Sequence, residues 1–228
     1  VAEEGKYLPE IKRYDISTVK GSVIVKDFSA EKFKMHLKSN KVNVIKILPG
    51  GVVTAKDTAE IQLDEKGEFV RNPEEDIVKV AVVERHQGTG NVACGFLKGY
   101  GIKAGAVALS IAHDSHNIIV VGVSDEEMEF AVNSLIAQEG GMVLVREGKV
   151  LESMPMPIAG LMSDQSGEWV DEKLTAIHAK AYEELGIAGD VEPVMTLCFM
   201  SLAVIPEVKL TDMGLFDVTT FSFIPVEA

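Results

Sequence analysis

The segment of residues 113–117 reads His-Asp-Ser-His-Asn and stands between two apolar runs, 104–112 and 118–122. Two imidazoles, a carboxylate and a carboxamide can bind a metal, relay protons or hydrogen-bond a purine. A half-buried sheet could not satisfy so many polar groups, so we expect a turn or the edge of a pocket. Three of these residues are the candidate catalytic residues: His113, Asp114 and His116.

As a metal site this segment is incomplete. His113 and His116 are three positions apart, and a third protein ligand would have to come from elsewhere. If the segment is extended, the Asp114 carboxylate points to the other side. The residues leave two other readings open: a turn that binds a ligand or relays protons, and a structural corner in which Asp and Asn bond the local backbone. We assign no metal ligand in the chain.

A second polar cluster, residues 84–91, follows a strand-like run and reads Glu-Arg-His-Gln-Gly-Thr-Gly-Asn. Gly88 and Gly90 allow a tight turn or a close approach of the backbone to a ligand, and Arg85 offers a planar fork of donors. The alternative is a hairpin loop with solvated charges. The cluster matches no phosphate-binding motif.

Two more segments interrupt the apolar pattern. In residues 154–164, two prolines fix an extended entry and Gly160 lets the chain turn, with Ser and Asp at the end. Residues 204–218 begin near a proline and are most simply a charged surface loop. The candidate substrate-binding residues from all these clusters are Glu84, Arg85, His86, Asn117, Ser163 and Asp164.

Composition limits the partners. The 228 residues carry a formal charge of −13, which argues against nucleic acid and anionic membranes but allows a small neutral substrate. No run approaches the roughly 20 apolar residues of a bilayer span, and residues 1–6 form no signal-peptide core. Cys94 and Cys198 fit no metal or redox spacing, so we read them as buried side chains in a reducing compartment, the cytoplasm.

The residue pattern in the first half of the chain predicts a helix, then a hairpin and then a buried strand. Ser29 can cap a short helix, and strands at 42–48 and 52–63 flank a Pro-Gly-Gly turn. Residues 64–76 are rich in Glu, Gly, Asn and Pro and predict an exposed loop. The Val- and Ala-rich run 77–83 predicts a strand at the centre of its sheet.

The second half repeats this order. Ser124 and Glu127 form a capping box for a helix with an apolar stripe, and Gly140-Gly141 should stop that helix as a left-handed cap. Strands at 142–146 and 149–153 are joined by Glu-Gly in a hairpin. Two related halves, each a helix plus a hairpin, are therefore one possible organisation.

The last part predicts a helix at 170–185 and strands at 194–204 and 218–224. Because helices and hairpins do not alternate regularly, we expect an α+β fold with mixed or antiparallel sheets and flanking helices. Residues 1–27 are interpreted as a lead-in from a preceding domain, and residues 28–228 as the domain itself.

In their order along the chain, these clusters resemble the C-terminal region of microbial adenine deaminases. The similarity covers roughly residues 20–228 and is densest after residue 77. The matching residues are Glu84-Arg85-His86, Gly88-Thr89-Gly90-Asn91, Gly99-Tyr100-Gly101, Gly105-Ala106, 113–122, 157–163, Met195-Thr196-Leu197, 204–207 and 209–212.

The resemblance implies a hydrolase of purine salvage that converts adenine and water to hypoxanthine and ammonia. In such amidohydrolases a (β/α)8 barrel binds a two-metal centre, here expected to hold Mn or Fe, and a metal lowers the pKa of bound water to about 7. The chain lacks the His-x-His metal motif, and a barrel needs about 250 residues by itself. We therefore expect no TIM barrel and no cofactor in this chain. The expected partners are adenine, the barrel domain of the same enzyme, and further copies in a homo-oligomer.

Three hypotheses follow, and the first is favoured. The chain is the C-terminal domain of an adenine deaminase, inactive alone, whose polar turns complete or cover the barrel's active site. Alternatively it is a non-catalytic structural or oligomerisation domain, with residues 113–117 as a satisfied corner. In the third hypothesis it is a free-standing metal hydrolase that uses His113, His116 and a distant carboxylate.

Overall fold

The structure is a computed structural model that describes residues 2–7 and 14–228. Among these residues, short strands are more numerous than helices. The strands are β1 (Ala2–Glu3), β2 (Lys6–Tyr7), β3 (Lys41–Ile47), β4 (Thr54–Glu60), β5 (Gln62–Leu63), β6 (Phe69–Val70), β7 (Ile77–Val83), β8 (Val92–Lys98), β9 (Ala106–Leu109), β10 (Ile118–Gly122), β11 (Gly141–Arg146), β12 (Lys149–Pro155), β13 (Val208–Thr211), β14 (Gly214–Asp217) and β15 (Ser222–Ile224). The helices are α1 (Asp125–Ala137), α2 (Gly167–Glu183) and α3 (Pro193–Cys198). None of them combines the length and the apolar character that crossing a bilayer requires.

An eight-stranded sheet forms the centre of the domain, in the order β12-β11-β9-β10-β7-β8-β3-β4. Neighbouring strands are antiparallel except β3 and β8, which run parallel. A three-stranded antiparallel sheet, β13-β14-β15, packs against it. The predicted α+β fold with mixed and antiparallel sheets is confirmed, and the described residues form no barrel.

Helices cover the central sheet on both faces. On one face α1 packs on β9, β10 and β11 through its apolar stripe of Met128, Ala131, Val132 and Leu135. The opposite face is covered by α2, α3 and the three-stranded sheet. Because both faces of β7 are covered, all seven of its residues are buried, as its Val- and Ala-rich sequence predicts.

The two ends of α1 differ in detail from the caps that the sequence predicts. Ser124 accepts a hydrogen bond from the Glu127 N–H, but the Glu127 carboxylate bonds the Glu147 N–H, so the second half of the capping box is missing. At the other end Glu139 takes the left-handed conformation, and Gly140 N–H donates to the Leu135 carbonyl. The helix therefore ends in a Schellman motif one residue earlier than predicted.

Two sequence predictions of helices and strands were wrong. The helix after Ser29 is only a 3-10 turn, Ala30–Phe33. The apolar run 194–204 begins with α3 and not with a strand, because Pro193 occupies a first-turn position and Glu192 caps the helix. Periodicity cannot separate a short buried helix from a buried strand.

Strands were also missed. The predicted surface loop 204–218 contains β13 and β14, and the predicted strand 218–224 shrinks to β15. β8 carries Ala, Cys, Gly and Lys and shows no alternation, so its sequence gives no strand signal. Pairing with neighbouring strands determines these elements, which single-strand patterns do not record.

The two predicted helix-plus-hairpin halves are attached differently. Their hairpins, β3–β4 and β11–β12, lie at opposite edges of the central sheet. The first joins the sheet through a parallel pair with β8, and the second through an antiparallel pair with β9. The boundary at residue 27 stays a prediction, and residues 1 and 8–13 of the lead-in lie outside the described residues.

A buried ion pair fastens α1 to the sheet. Lys79, in the middle of β7, donates to Asp125 Oδ1 at 2.7 Å and to the Phe33 carbonyl at 2.9 Å. Lys34 donates to the other oxygen of the same carboxylate at 3.0 Å. Asp125 therefore neutralises a lysine that is 4% exposed.

Replacing Asp125 with Ala should destabilise the domain by about 3 kcal/mol, because it leaves the buried Lys79 charge unpaired. Denaturant unfolding of the variant measures this loss. Asp57→Ala is the control, since Asp57 pairs with Lys98 near the surface, and it should cost much less stability. Equal losses in the two variants would contradict the assignment.

Candidate functional site

The polar clusters lie close together because the strands next to them begin or finish at the same end of the central sheet. Val83, the last residue of β7, pairs with Ile118, the first residue of β10, and with Val92 of β8. The ends of β9 and β12 are aligned with the start of β11. The loops that emerge together are 84–91, 110–117, 138–140 and 156–163.

Arg85 joins three of these loops. Its guanidinium Nε donates to the His116 carbonyl at 2.5 Å and Nη2 donates to the Ala159 carbonyl at 3.1 Å. Its backbone N–H donates to Asn117 Oδ1 at 3.3 Å. The side chain is only 1% exposed, so Arg85 is a buried link between loops and is not a surface donor.

The backbone that accepts from Arg85 has unusual conformations. His116 and Ala159 are left-handed, with φ of 53° and 57°, which costs non-glycine residues of order 1 kcal/mol each. Gly160 follows with φ of 71°, and a Cβ placed there would lie 2.7 Å from Arg85 Nη1. Glycine is therefore required at 160 both for the turn and for the space that the guanidinium takes.

A layer of small residues lies beneath Gly160. Ser110 Oγ donates to the Gly160 carbonyl at 2.5 Å and accepts from the Gly141 N–H at 2.8 Å. A Cβ at Gly140 would lie 2.6 Å from the Gly160 Cα. The backbones of two loops touch here, which fixes the 156–163 turn against the start of β11.

Glu84 closes its own loop. Its Oε1 accepts from the N–H groups of His86 at 2.5 Å and Gln87 at 2.7 Å, and its Oε2 accepts from the N–H and Oγ1 of Thr89. Burial raises the pKa of this carboxyl, but the donated hydrogen bonds outweigh burial and lower the pKa to about 2. Both oxygens are occupied within the loop.

The histidines form the outer layer of the site. His113 and His116 lie with ring centroids 5.3 Å apart, and the His113 ring also lies 4.7 Å from the Phe199 ring. His86 Nε2 is 2.7 Å from the Ser115 carbonyl oxygen. Burial lowers the pKa of His116, and the nearby His113 and Arg85 lower it further. Such an imidazole is held neutral and can accept a proton.

Two buried polar atoms in this cluster have no hydrogen-bond partner in the described structure: Arg85 Nη1 and His116 Nδ1. Buried polar groups in folded proteins almost always have partners, so these two orphaned atoms set the cluster apart from the other polar loops. Their proximity to the exposed turn residues Asp114 and Ser115 makes this turn the candidate site.

Ser163 and Asp164 lie beside the cluster and do not bond Arg85 or the histidines. Ser163 Oγ accepts from the Gln165 N–H at 3.1 Å, and Asp164 pairs with Lys20 at 3.4 Å. The segment that contains Lys20 crosses this end of the sheet, since Val19 accepts from the Ala159 N–H at 2.9 Å and the Ile24 N–H donates to the Arg85 carbonyl at 2.8 Å.

Sequence reasoning missed the support that α3 gives to the turn. The His113 N–H donates to the Cys198 carbonyl at 2.8 Å, and Phe199 packs on its ring. α3 is held in turn by the buried Tyr100 hydroxyl, which donates to the Pro193 carbonyl at 2.8 Å. These contacts join segments that are far apart in the sequence, so no local pattern predicts them. The one available signal was Tyr100, which lies in a segment that matches the family.

A cleft of about 510 Å³ lies at the opposite end of the sheet, around Lys34, Arg71, Lys79 and Asp125. Its size alone does not make it the functional site. Lys34 and Lys79 already share the Asp125 carboxylate, and Glu68 accepts from His36 at 2.8 Å. Most charges in the cleft are therefore paired, although Arg71 Nε is buried there without a hydrogen-bond partner. The Arg85 cluster is preferred because it gathers the polar segments that interrupt the apolar runs of the sequence.

The chemistry available at the Arg85 cluster is hydrogen bonding and proton exchange by imidazole. Within residues 2–7 and 14–228, no three His, Cys, Asp or Glu side chains converge as metal ligands would. The free-standing hydrolase hypothesis finds no third ligand here for His113 and His116. Both cysteines are free thiols whose pKa burial raises to about 12, so neither is an activated nucleophile.

Fold and site thus define an α+β domain that gathers its polar loops at one end of a mixed sheet, with a buried arginine behind two histidines. Residues 51–222 match the family described as the adenine deaminase C-terminal domain, and the chain belongs to that family. The predicted resemblance is confirmed.

Relatives named adenine deaminase match the whole chain. The chain is 67% identical over 228 residues to adenine deaminase 2 of Desulfotalea psychrophila, and the match covers 100% of this chain and 40% of that protein. It is 48% identical over 227 residues to adenine deaminase of Ligilactobacillus salivarius, covering 100% of this chain and 39% of the relative. The corresponding match to adenine deaminase 2 of Carboxydothermus hydrogenoformans is 46% over 226 residues. The chain thus spans about 40% of the length of the curated relatives that it matches.

Glu84→Gln should weaken the domain through the loss of the carboxylate that closes loop 84–91. The folded-state pKa of about 2 lies below the usual 4.5, so this stabilisation is complete above pH 4.5 and is lost as the pH falls towards 2. At neutral pH we expect a loss of about 2 to 3 kcal/mol. Unfolding free energies measured between pH 2 and pH 7 test this.

In the same titration the difference between wild type and Glu84→Gln should shrink between pH 4.5 and pH 2. Glu65→Gln, an exposed change in the loop between β5 and β6, should give a curve that overlays the wild type. A constant difference at every pH would show that Glu84 acts by shape and not by charge.

Proposed function

We propose that this chain works as the C-terminal domain of an adenine deaminase, an enzyme that hydrolyses adenine to hypoxanthine and ammonia. One observation carries the proposal: the segments that match the family meet around Arg85 at one end of the sheet, where Arg85 Nη1 and His116 Nδ1 lack hydrogen-bond partners. A chain that spans about 40% of its relatives leaves room for a separate catalytic domain. The domain alone is expected to be inactive.

The metal centre of the parent enzyme, with Mn or Fe, is proposed to lie in the part of the enzyme outside this chain. In support of this, no three His, Cys, Asp or Glu side chains in the described part of the chain lie close enough together to bind a metal. The proposed pathway is purine salvage, and the proposed location is the cytoplasm, in keeping with two free thiols in the described structure.

The turn 113–117 is proposed to face the barrel domain of the same enzyme. His113, Asp114 and His116 would supply hydrogen bonds or a proton path at the edge of the adenine site, while Arg85, Glu84 and Asn117 hold the turn from behind. The exposed residues His86 and Asp164 and the half-buried Ser163 would line the same face.

Exposed apolar side chains near the turn support docking at this end of the sheet. Val19, Ile24 and Met162 are all exposed, and each belongs to a segment hydrogen-bonded to the Arg85 loop or to the 156–163 turn. Apolar groups surrounding polar ones are typical of a surface that a neighbouring domain covers.

A second candidate function is the structural or oligomerisation role, and a separate surface favours it. Phe216, Phe221 and Phe223 form a group of edge-to-face rings on the outer side of the three-stranded sheet. Phe221 and Phe223 are exposed. We propose that the parent enzyme is a homo-oligomer and that this aromatic group is one of its contact surfaces.

In the full-length enzyme, His113→Ala and His116→Asn should each lower kcat/KM by about 10²-fold, the usual contribution of a positioned proton-transfer group. Asn is used at 116 because it tolerates the left-handed backbone there. Steady-state kinetics with adenine, alongside thermal unfolding, separate this loss from a loss of stability.

His36→Asn is the matched control, because His36 is also left-handed with φ of 48° but lies at the cleft on the other end of the sheet. It should leave kcat/KM unchanged. If the two turn variants stay folded and also keep full activity, the turn is a structural corner and the second candidate function stands.

Adenine should bind the 228-residue chain by itself only weakly, because most of its binding site would belong to the barrel. Calorimetry should give a dissociation constant well above the low micromolar range, that is, a binding free energy weaker than about −8 kcal/mol. Low-micromolar binding by the chain alone would place the adenine site within this domain.

A further inference from the structure

Arg85 is a buried cation that forms no ion pair within the part of the chain that the structure describes. Its neighbour Glu84 is turned away and is occupied by its own loop. Burial of an unpaired charge is costly, and it lowers the pKa of this guanidinium. A shape-matched apolar residue would avoid that cost, so stability alone does not account for an arginine here.

The contacts of Arg85 show that its guanidinium links two loops. Both side-chain hydrogen bonds end on carbonyls of left-handed residues, His116 and Ala159, one in each of two loops. The planar fork sets the distance between these carbonyls, which the flexible ammonium of a lysine would do less strictly. Gly160 lies against the guanidinium so closely that no side chain fits between them.

We propose that Arg85 is a positioning residue of the deaminase: it fixes the turn 113–117 against the turn 158–162, and so sets where His113 and His116 point. This inference rests on the proposed function, because it assigns Arg85 a part in that reaction. Arg85 is not a catalytic residue, since its buried side chain acts through His116 and does not reach a substrate.

The charge of Arg85 also acts on His116. The charged or titratable groups that face His116 are His113 and Asp114 on its own turn, and Arg85 and His86 on the loop 84–91. Arg85, His113 and His86 lower the pKa of His116, and only Asp114 raises it. Removal of the Arg85 charge should therefore raise the pKa of His116, whereas an arginine whose guanidinium lay away from this imidazole would leave that pKa in place.

The first test is an NMR titration of the histidine side chains in the 228-residue chain. Arg85→Met should move the pKa of His116 upwards, and Arg85→Lys, which keeps the charge, should move it less. Arg146→Met is the matched control, because Arg146 Nη1 also donates to a backbone carbonyl, that of Glu184, but at the far end of the sheet. An unmoved His116 pKa in a folded Arg85→Met chain would overturn the proposal.

The second test uses the full-length enzyme and displaces Arg85 without removing it. Gly160→Ala pushes a methyl group against Nη1, whereas Gly148→Ala introduces a similar left-handed strain, at φ of 68°, with nothing within 4 Å. We expect Gly160→Ala and Arg85→Met to lower kcat by about 10²-fold, the effect of a misplacement of about 1 Å, with KM changed far less. Gly148→Ala and Arg146→Met should keep the wild-type kcat.

Failures of the two ideas can be told apart. If folded Arg85→Met and Gly160→Ala enzymes lose no more kcat than their controls while His113→Ala and His116→Asn lose activity, positioning by Arg85 is wrong and the proposed function stands. If the histidine variants are also fully active, the proposed role of the turn at the adenine site fails and the structural candidate function stands. If Arg85→Met does not fold, Arg85→Lys and Gly160→Ala decide the question.

Discussion

The burial of a guanidinium behind a solvent-facing turn constrains much of this domain. Arg85 can remain inside only while the carbonyls of residues 116 and 159 stay in reach of its nitrogens. That requirement holds two residues in left-handed conformations and excludes any side chain at Gly160. The free-energy cost of this strain and desolvation must be offset by the apolar packing of the two sheet faces.

The central sheet makes this arrangement possible. Antiparallel pairing aligns the ends of β7, β9 and β12, so loops that are far apart in sequence leave the sheet at one place. α3 and the three-stranded sheet then close the side of the turn, where Phe199 supports the His113 ring. In the proposed function, this sheet presents a short polar segment to the barrel domain of the same enzyme.

Much of the fold was predictable where one residue type determines local geometry. Ser124 capped α1, and Glu147-Gly148, both with positive φ, formed the β11–β12 turn. The candidate site residues were chosen because polar clusters interrupt apolar runs, and the structure brings Arg85, His116 and Asn117 together. What failed depends on contacts between distant segments: β8 has no strand pattern of its own, and α3 is made helical by Glu192 and Pro193 within an apolar run. That Arg85 bonds two backbone carbonyls could not be read from its position.

Amide hydrogen exchange compared between the 228-residue chain and the full-length enzyme tests the central claim most directly. If the Arg85 end of the sheet faces the catalytic domain, exchange at residues 84–91, 113–117 and 158–164 should slow in the full-length enzyme, because a docked domain protects these loops. Exchange around α1 should stay the same. Unchanged exchange in all three loops, with new protection only at α1 or on the outer side of the three-stranded sheet, would contradict the account.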